Sequence, residues 1–237
     1  MKIQNIAKTA SRVAAGGAVA MAAYALAVRP WHLRWGTTRA EEYKPLPGDE
    51  IVPKPEHTAT HAITIDASIA DVWPWLVQIG QNRAGFYSYN WLENLAGCEI
   101  HNADRIVPEW QTLRVGDVVW LHPGEDPLPV IRVEPFKSLV LGGSIEDGAD
   151  QTVRGGTWGF YLEQVDENTT RFIVRIRWSR KPGLRNQIFD FLLLEPAHFV
   201  MERKMMLGIK RRAEELARTN SGSLAGIESV LTGDSHH

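Results

Sequence analysis

The spacing of apolar residues outlines the elements of one domain before any single residue suggests a chemistry. THAITIDA (60–67) alternates, with His61, Ile63 and Ile65 on one face and Ala62, Thr64 and Asp66 on the other, as a half-buried strand does. Ser68 then offers a helix cap with Asp71 three residues on, and Ile69, Val72, Trp73, Leu76 and Ile79 form a helical stripe. Pro74 lies inside that stripe, which predicts either a kink or a helix that begins nearer Asp71. Gly80 and Gly85 bracket a break, and a second short helix is predicted over Ser88–Leu95, stopped at Gly97.

Short β-branched runs follow at 117–121, 129–135 and 138–143. The clearest hairpin is TWGFYLEQVDENTTRFIVRIRW (157–178). Trp158, Phe160 and Leu162 share a face of one arm, and Phe172, Val174, Ile176 and Trp178 share a face of the other. Asp166, Glu167 and Asn168 supply the turn. Arg171, Arg175 and Arg177 fall on the opposite face, which is predicted to meet solvent. A long helix is predicted over Leu184–Arg218, with Phe199, Met206, Ile209, Ala213 and Leu216 in one stripe and Leu194, Ala197, Met201 and Met205 beside it. Pro196 is predicted to bend it. The fold class is therefore α+β: a curved antiparallel sheet wrapped around a long C-terminal helix, with two short helices after the first strand.

Outside this domain, placed at 57–217, the pattern changes. Val13 to Val28 carries no charge, Lys2, Lys8 and Arg12 precede it, and Tyr24, Trp31 and Trp35 lie near its end. Residues 1–28 read as a single membrane anchor, side unassigned, or as a signal segment cleaved from a secreted chain. Residues 29–56 hold Pro30, Pro45, Pro47, Pro53 and Pro55 and read as an extended linker. The Gly/Ser-rich tail, 218–237, is predicted to be disordered.

A net charge of −2 over 237 residues argues against a dedicated nucleic-acid binder. The single cysteine, Cys98, rules out an intrachain disulfide framework. The chain lacks a nucleophile elbow, a phosphate-cradling loop and the two-histidine zinc helix. Cys98 with Glu99 and His101 is too sparse for a nucleophile. His101 with Asp104, and His122 with Glu125 and Asp126, lack the further ligands a metal needs. No catalytic set, metal or cofactor is predicted, and whether the protein is an enzyme stays open. The basic run RIRWSRKPGLR (175–185) reads as a solvated strand end, or as a contact for anionic lipid beside the anchor.

The junction ITIDASIADVWPWLVQIG, the element order and the stretch EPAHFVMERKMMLGIKRR resemble the START/Bet v 1-like (SRPBCC) superfamily over about 57–217. The stretches QNRAGFYSYNWLENLAG, VGDVVWL, RPWHLRWG and LPGDE are similar to a bacterial, membrane-tethered, polyketide cyclase/dehydrase-like subgroup. The resemblance implies a helix-grip fold with a hydrophobic cavity between sheet and terminal helix. Trp120, Trp158, Phe160, Met201 and Met205 suit its walls, although each also suits a packed core. Gln78, Arg83, Tyr87 and Tyr89 read equally as a polar lip for a ligand headgroup and as a turn that satisfies helix ends. His198 reads first as a satisfied core or surface histidine, and otherwise as an acid or base facing the cavity. The resulting expectation is a binder of a hydrophobic small molecule or lipid beside a membrane. The alternatives are a polyketide cyclase/dehydratase-like enzyme that orients its substrate by cavity shape, and an interaction module with a closed core.

Overall fold

The computed structural model describes residues 12, 15–95, 97–124, 126–144, 154–179 and 183–233. Lys2, Lys8, Val13, Glu125 and Arg180, Lys181 and Pro182 of the basic run lie outside the described residues. Six antiparallel strands form one sheet in the order β1-β6-β5-β4-β3-β2. They are β1 (His57–Ile65), β2 (Val118–Val119), β3 (Leu128–Glu134), β4 (Ser138–Ser144), β5 (Arg154–Asp166) and β6 (Thr169–Trp178). The register pairs His61 with Val174 and Phe160 with Val174, so inward-facing residues of three strands line up across the sheet. Shifts between Val130 and Arg132, Gly142 and Ser144, and Gln164 and Asp166 bend the ladder, as bulges do.

Two short helices, α3 (Ile69–Val77) and α4 (Asn90–Leu95), follow β1, and a long helix, α6 (Glu195–Gly233), closes the inner face. Ser68 caps α3 by accepting from the Asp71 N–H at 3.3 Å. The helix begins at Ile69 and keeps Pro74 inside, leaving the Ala70 carbonyl without its usual partner. The inner core joins Ile65, Leu76, Phe160, Phe172 and Val174 to Met206 and Ile209 of α6. Gly208 lets α6 approach closely: a Cβ there would stand 2.4 Å from the Tyr87 carbonyl oxygen.

The predicted long helix is interrupted in its hydrogen bonding. A short α5 (Leu184–Phe189) passes into a π-turn over Asp190–Leu194, and α6 starts immediately before Pro196. A proline ring crowds the carbonyl four residues back, here Leu192, and the wider π-turn accommodates it. At its other end α6 continues past Arg218 to Gly233, where composition predicts disorder. Thr219 and Ser221 hydroxyls donate to carbonyls one turn back, and Asn220 donates to Asp71 at 2.9 Å.

The proline-rich segment 29–56 does not stand off as a spacer; it runs along the free edge of β1, where Trp31, His32 and Trp35 pack on Phe199, and then crosses the outer face of the sheet. α1 (Arg29–His32) follows a π-turn over Tyr24–Val28, and α2 (Arg39–Tyr43) is closed by a capping box at Thr38 and Glu41. Backbone bonds run from Thr60 to Leu33 and from Ala62 to Trp35. Leu46 packs with Ala62, Val140, Tyr161 and Ile173 in a second, smaller core.

That segment also reverses the expectation for the arginine face of β6. Arg175 is only 3% exposed. Its guanidinium donates to Thr60, to Asp49 at 2.7 Å, and to the carbonyls of Glu41, Glu42 and Lys44. Arg171 pairs with Glu41, and Arg177 donates to the Val52 carbonyl. Five donors in a rigid fork can satisfy the free carbonyls of a proline-rich strap, which explains why arginine lies under it.

Candidate functional site

Between α6 and the inner face of the sheet lies a cavity of about 590 Å³. The two-residue period of the hairpin turns Trp158, Ile176 and Trp178 into it. The helical period of α6 turns in His198, Met201, Glu202 and Met205, and α4 contributes Leu92 and Glu93. The walls contain no Lys or Arg among the described residues.

One wall carries a buried polar network. Glu202 accepts from the Trp158 indole at 2.9 Å and meets His61 Nδ1 in a very short contact. His61 Nε2 lies 2.7 Å from the His32 carbonyl oxygen, which can only accept, so Nε2 carries a proton. Burial works to raise the Glu202 pKa, but His61, His198 and the bonds from His61 and Trp158 together hold it below the ordinary glutamate value.

His198 Nε2 stands 3.6 Å from Glu202 Oε2, and its ring lies edge-on to both Trp158 and Trp178. The side chain sits deep in the protein yet stays 27% accessible, because the cavity runs alongside it. Burial lowers its pKa, with Glu202 opposing and His61 and His57 adding to the shift, which favours a neutral imidazole.

Glu93 is the other acid of the wall. It is 4% exposed, and neither carboxyl oxygen has a hydrogen-bond partner among the described residues. Burial pushes its pKa up to about 7. On the same helix Trp91 and Leu95 face solvent.

The structure separates the expected site residues. Trp158, Met201, Met205 and His198 line the cavity, whereas Trp120 does not, and Phe160 is wholly buried between Trp158 and Phe172. Of the two readings of the polar stretch, lip and turn, the hydrogen bonds follow the turn. Gln78 donates to the Tyr87 hydroxyl and the Arg105 carbonyl and accepts from Val107 and Gln111. The Tyr87 hydroxyl donates to the Trp75 carbonyl, while Tyr89 lies under the Lys204 ammonium. Arg83 donates to the Trp110 carbonyl, and burial lowers its pKa. These polar groups hold the loops after α3 together, and none of them lines the cavity.

Glu93, Glu202, Trp178 and Cys98 are wall residues that the sequence reading does not place there. Glu202 left a signal, since a carboxylate one turn after His198 interrupts the apolar stripe of α6. Glu93 left none, because its helix buries the charged residue and exposes apolar ones.

A second cavity, of about 600 Å³, lies under the N-terminal strap and is rich in arginine. Its cations are largely committed: Arg29 binds Glu195 through two nitrogens, and Arg175 and Arg177 share Asp49.

No protein-family model matches the sequence, and no curated protein matches it. Among solved structures the chain is similar to a polyketide-cyclase-like protein of Corynebacterium glutamicum, at 17% identity over 76% of this chain and 96% of that one, with a TM-score of 0.31. It is also similar to the Aha1 protein of Colwellia psychrerythraea, at 16% identity over 65% of this chain and 98% of that one, with a TM-score of 0.34. A third is CalU16 of Micromonospora echinospora, at 15% identity over 68% and 86%, with a TM-score of 0.31. The sheet order and the long helix across its inner face make the architecture a helix grip, the arrangement that the START/Bet v 1-like resemblance implies.

Proposed function

We propose that this chain binds a hydrophobic small molecule, with lipids among the candidates, in the cavity between sheet and α6, and that it does so beside a membrane. The observation that carries the first part is the cavity itself. Its volume of about 590 Å³ falls within the roughly 300–1,000 Å³ typical of ligand pockets. A merely structural core packs without such a void.

The membrane part rests on a different surface. The π-turn at Tyr24–Val28 packs on the one at Asp190–Leu194: the Tyr24 hydroxyl donates to the Phe191 carbonyl, and the two rings meet edge to face at 5.1 Å. The two turns and the helices adjoining them expose large apolar side chains, Leu26, Val28 and Trp31 on one side and Phe189, Leu192 and Leu193 on the other. Neighbouring apolar side chains of this size favour cover by lipid over contact with water. Among the described residues no helix is long and apolar enough to cross a membrane, so the reading requires only contact with the bilayer face.

A second reading is an enzyme resembling the polyketide cyclases/dehydrases. It is favoured by His198, a neutral imidazole backed by a carboxylate inside the cavity. Turnover of a poly-β-ketone chain that is lost in His198→Gln would establish it.

Native mass spectrometry of the full chain, purified without detergent, tests the leading reading. A reproducible added mass that disappears in Met201→Trp supports an occupied cavity. A bare mass that persists after incubation with a panel of lipids and polyketides overturns it. Sedimentation with anionic vesicles, weakened about tenfold by Leu193→Asp, tests the membrane part.

A further inference from the structure

We propose that the cavity selects apolar ligands that carry a basic nitrogen, with Glu93 as the group that pairs with the ammonium. This rests on the cavity being a ligand site and specifies what enters it.

The first ground is the charge inventory of the walls. The two acids are Glu93 and Glu202, and no Lys or Arg lines the space among the described residues. Glu202 is already answered by His61, Trp158 and His198. Among the described residues nothing answers Glu93: both its oxygens are buried without a hydrogen-bond partner there. A carboxyl group in that position is costly unless a partner arrives.

The second ground is the direction in which α4 faces. Burial of apolar surface alone would turn Trp91 and Leu95 inward and Glu93 outward. The helix does the reverse, exposing Trp91 and Leu95 while Glu93 and Leu92 line the cavity. Asn90 and Asn94 tie the helix to Asn102 and Ile100, and in the orientation those bonds fix, the Glu93 carboxyl is aimed into the cavity, where a cationic partner can reach it.

The remaining walls suit a cation on an apolar body. Phe86, Trp158 and Trp178 supply aromatic rings, which attract ammonium groups as well as burying hydrocarbon. An anionic ligand, such as a fatty acid, would meet Glu93 as a like charge and find no arginine. Arg83, the one residue of the expected lip suited to carboxylate or phosphate, is bonded to the Trp110 carbonyl instead.

Proton linkage gives the proposal its signature. With a pKa of about 7, Glu93 is close to half-protonated in the empty cavity at neutral pH. An ammonium beside it favours the carboxylate, so binding releases a proton and affinity rises with pH between about 5 and 8. The other titratable wall groups are Cys98 on the segment after α4, and His198 and Glu202 on α6. His198 has a lowered pKa and Glu202 is held ionised, so neither reverses that trend.

Calorimetric titration of the full chain with decylamine, decan-1-ol and decanoate at pH 6 and pH 8 tests the proposal, in two buffers of different ionisation enthalpy. Decylamine is expected to bind about tenfold or more tightly than decan-1-ol at pH 8, in line with a charged hydrogen bond. It should weaken at pH 6 and release a proton on binding. Glu93→Gln should bring decylamine down to the affinity of decan-1-ol and remove the proton release. Met201→Trp should abolish binding of all three. Equal affinity for decylamine and decan-1-ol, unchanged in Glu93→Gln, overturns the proposal and leaves the cavity reading standing. Decylamine binding that weakens as pH rises, and only when Glu93 is present, also overturns it, because Glu93 would then act as a neutral donor. Failure of all three probes removes the cavity reading with it.

Discussion

The Trp158 indole N–H donates to Glu202 Oε2 at 2.9 Å, which couples the cavity wall on β5 to a carboxylate on α6 and, through it, to His61 on β1. Sheet and helix are thus joined by charged hydrogen bonds as well as by packing. Removing Glu202 leaves the Trp158 indole N–H and His61 Nδ1 buried without their partner. Glu202→Ala is therefore expected to destabilise the fold by about 2–5 kcal/mol in urea denaturation. Glu202→Gln keeps an acceptor for Trp158 and should cost less. Equal stability of Glu202→Ala and wild type would show that the network carries no load.

Arg175 plays a similar part on the outer face. Its side chain is nearly inaccessible and holds the strap through Asp49 and the carbonyls of Glu41, Glu42 and Lys44. Arg175→Met should free the strap before the rest of the domain: amides over 41–52 should exchange faster while those of β5 and β6 keep their protection. Arg175→Lys should fail to restore them, because a single ammonium cannot reproduce the fork. Uniform protection in Arg175→Met would show that the strap is held by its own packing.

These two clusters mark the limit of what the sequence disclosed. The alternation of Trp158, Phe160 and Leu162 and the stripe of Met206, Ile209 and Ala213 made the sheet and the terminal helix legible, because each depends on local periodicity. The same periodicity placed Arg175 on the face opposite Val174, and the usual assignment of that face is solvent. Only the tertiary position of residues 29–56 buries it, and no local pattern reports that a proline-rich segment folds back. The polar stretch at 78–89 was ambiguous for a related reason. Gln78 and Arg83 are as well suited to bonding loop carbonyls as to bonding a ligand, and the choice rests on the approach of Arg105 and Trp110, which are more than twenty residues away in sequence.

Acid should unfold the protein in two stages. Burial lowers the His32 pKa to about 4, and its Nε2 lies 3.2 Å from the Tyr24 hydroxyl, which itself donates to the Phe191 carbonyl. The unfolded chain protonates histidine near 6.5, so stability falls as pH drops from about 6.5 towards 4. Burial works to raise the Glu195 pKa, but hydrogen bonds from His57 and Arg29 outweigh it and hold the pKa at about 2. That depressed carboxylate contributes stability above its unfolded value, and the contribution disappears as pH falls from about 4.5 towards 2. His32→Gln is expected to flatten the first stage and Arg29→Met the second, read as urea midpoints against pH. A single stage, unchanged in both variants, would contradict the assignment.

Glu93 acts in the opposite sense. Its pKa in the fold, about 7, lies above the unfolded value, so the folded state holds the extra proton and loses stability as pH rises from about 4.5 to 7. Glu93→Gln removes that loss and should stabilise the protein at pH 8, on the order of 2 kcal/mol, with little effect at pH 4. A substitution that raises stability marks a residue retained for something other than the fold. If Glu93→Gln is neutral or destabilising at pH 8, the carboxyl already has a partner in the empty protein, and the argument for a cationic ligand loses its premise. If it stabilises, the same variant should bind decylamine more weakly, and the two measurements together separate a ligand-facing acid from a structural one.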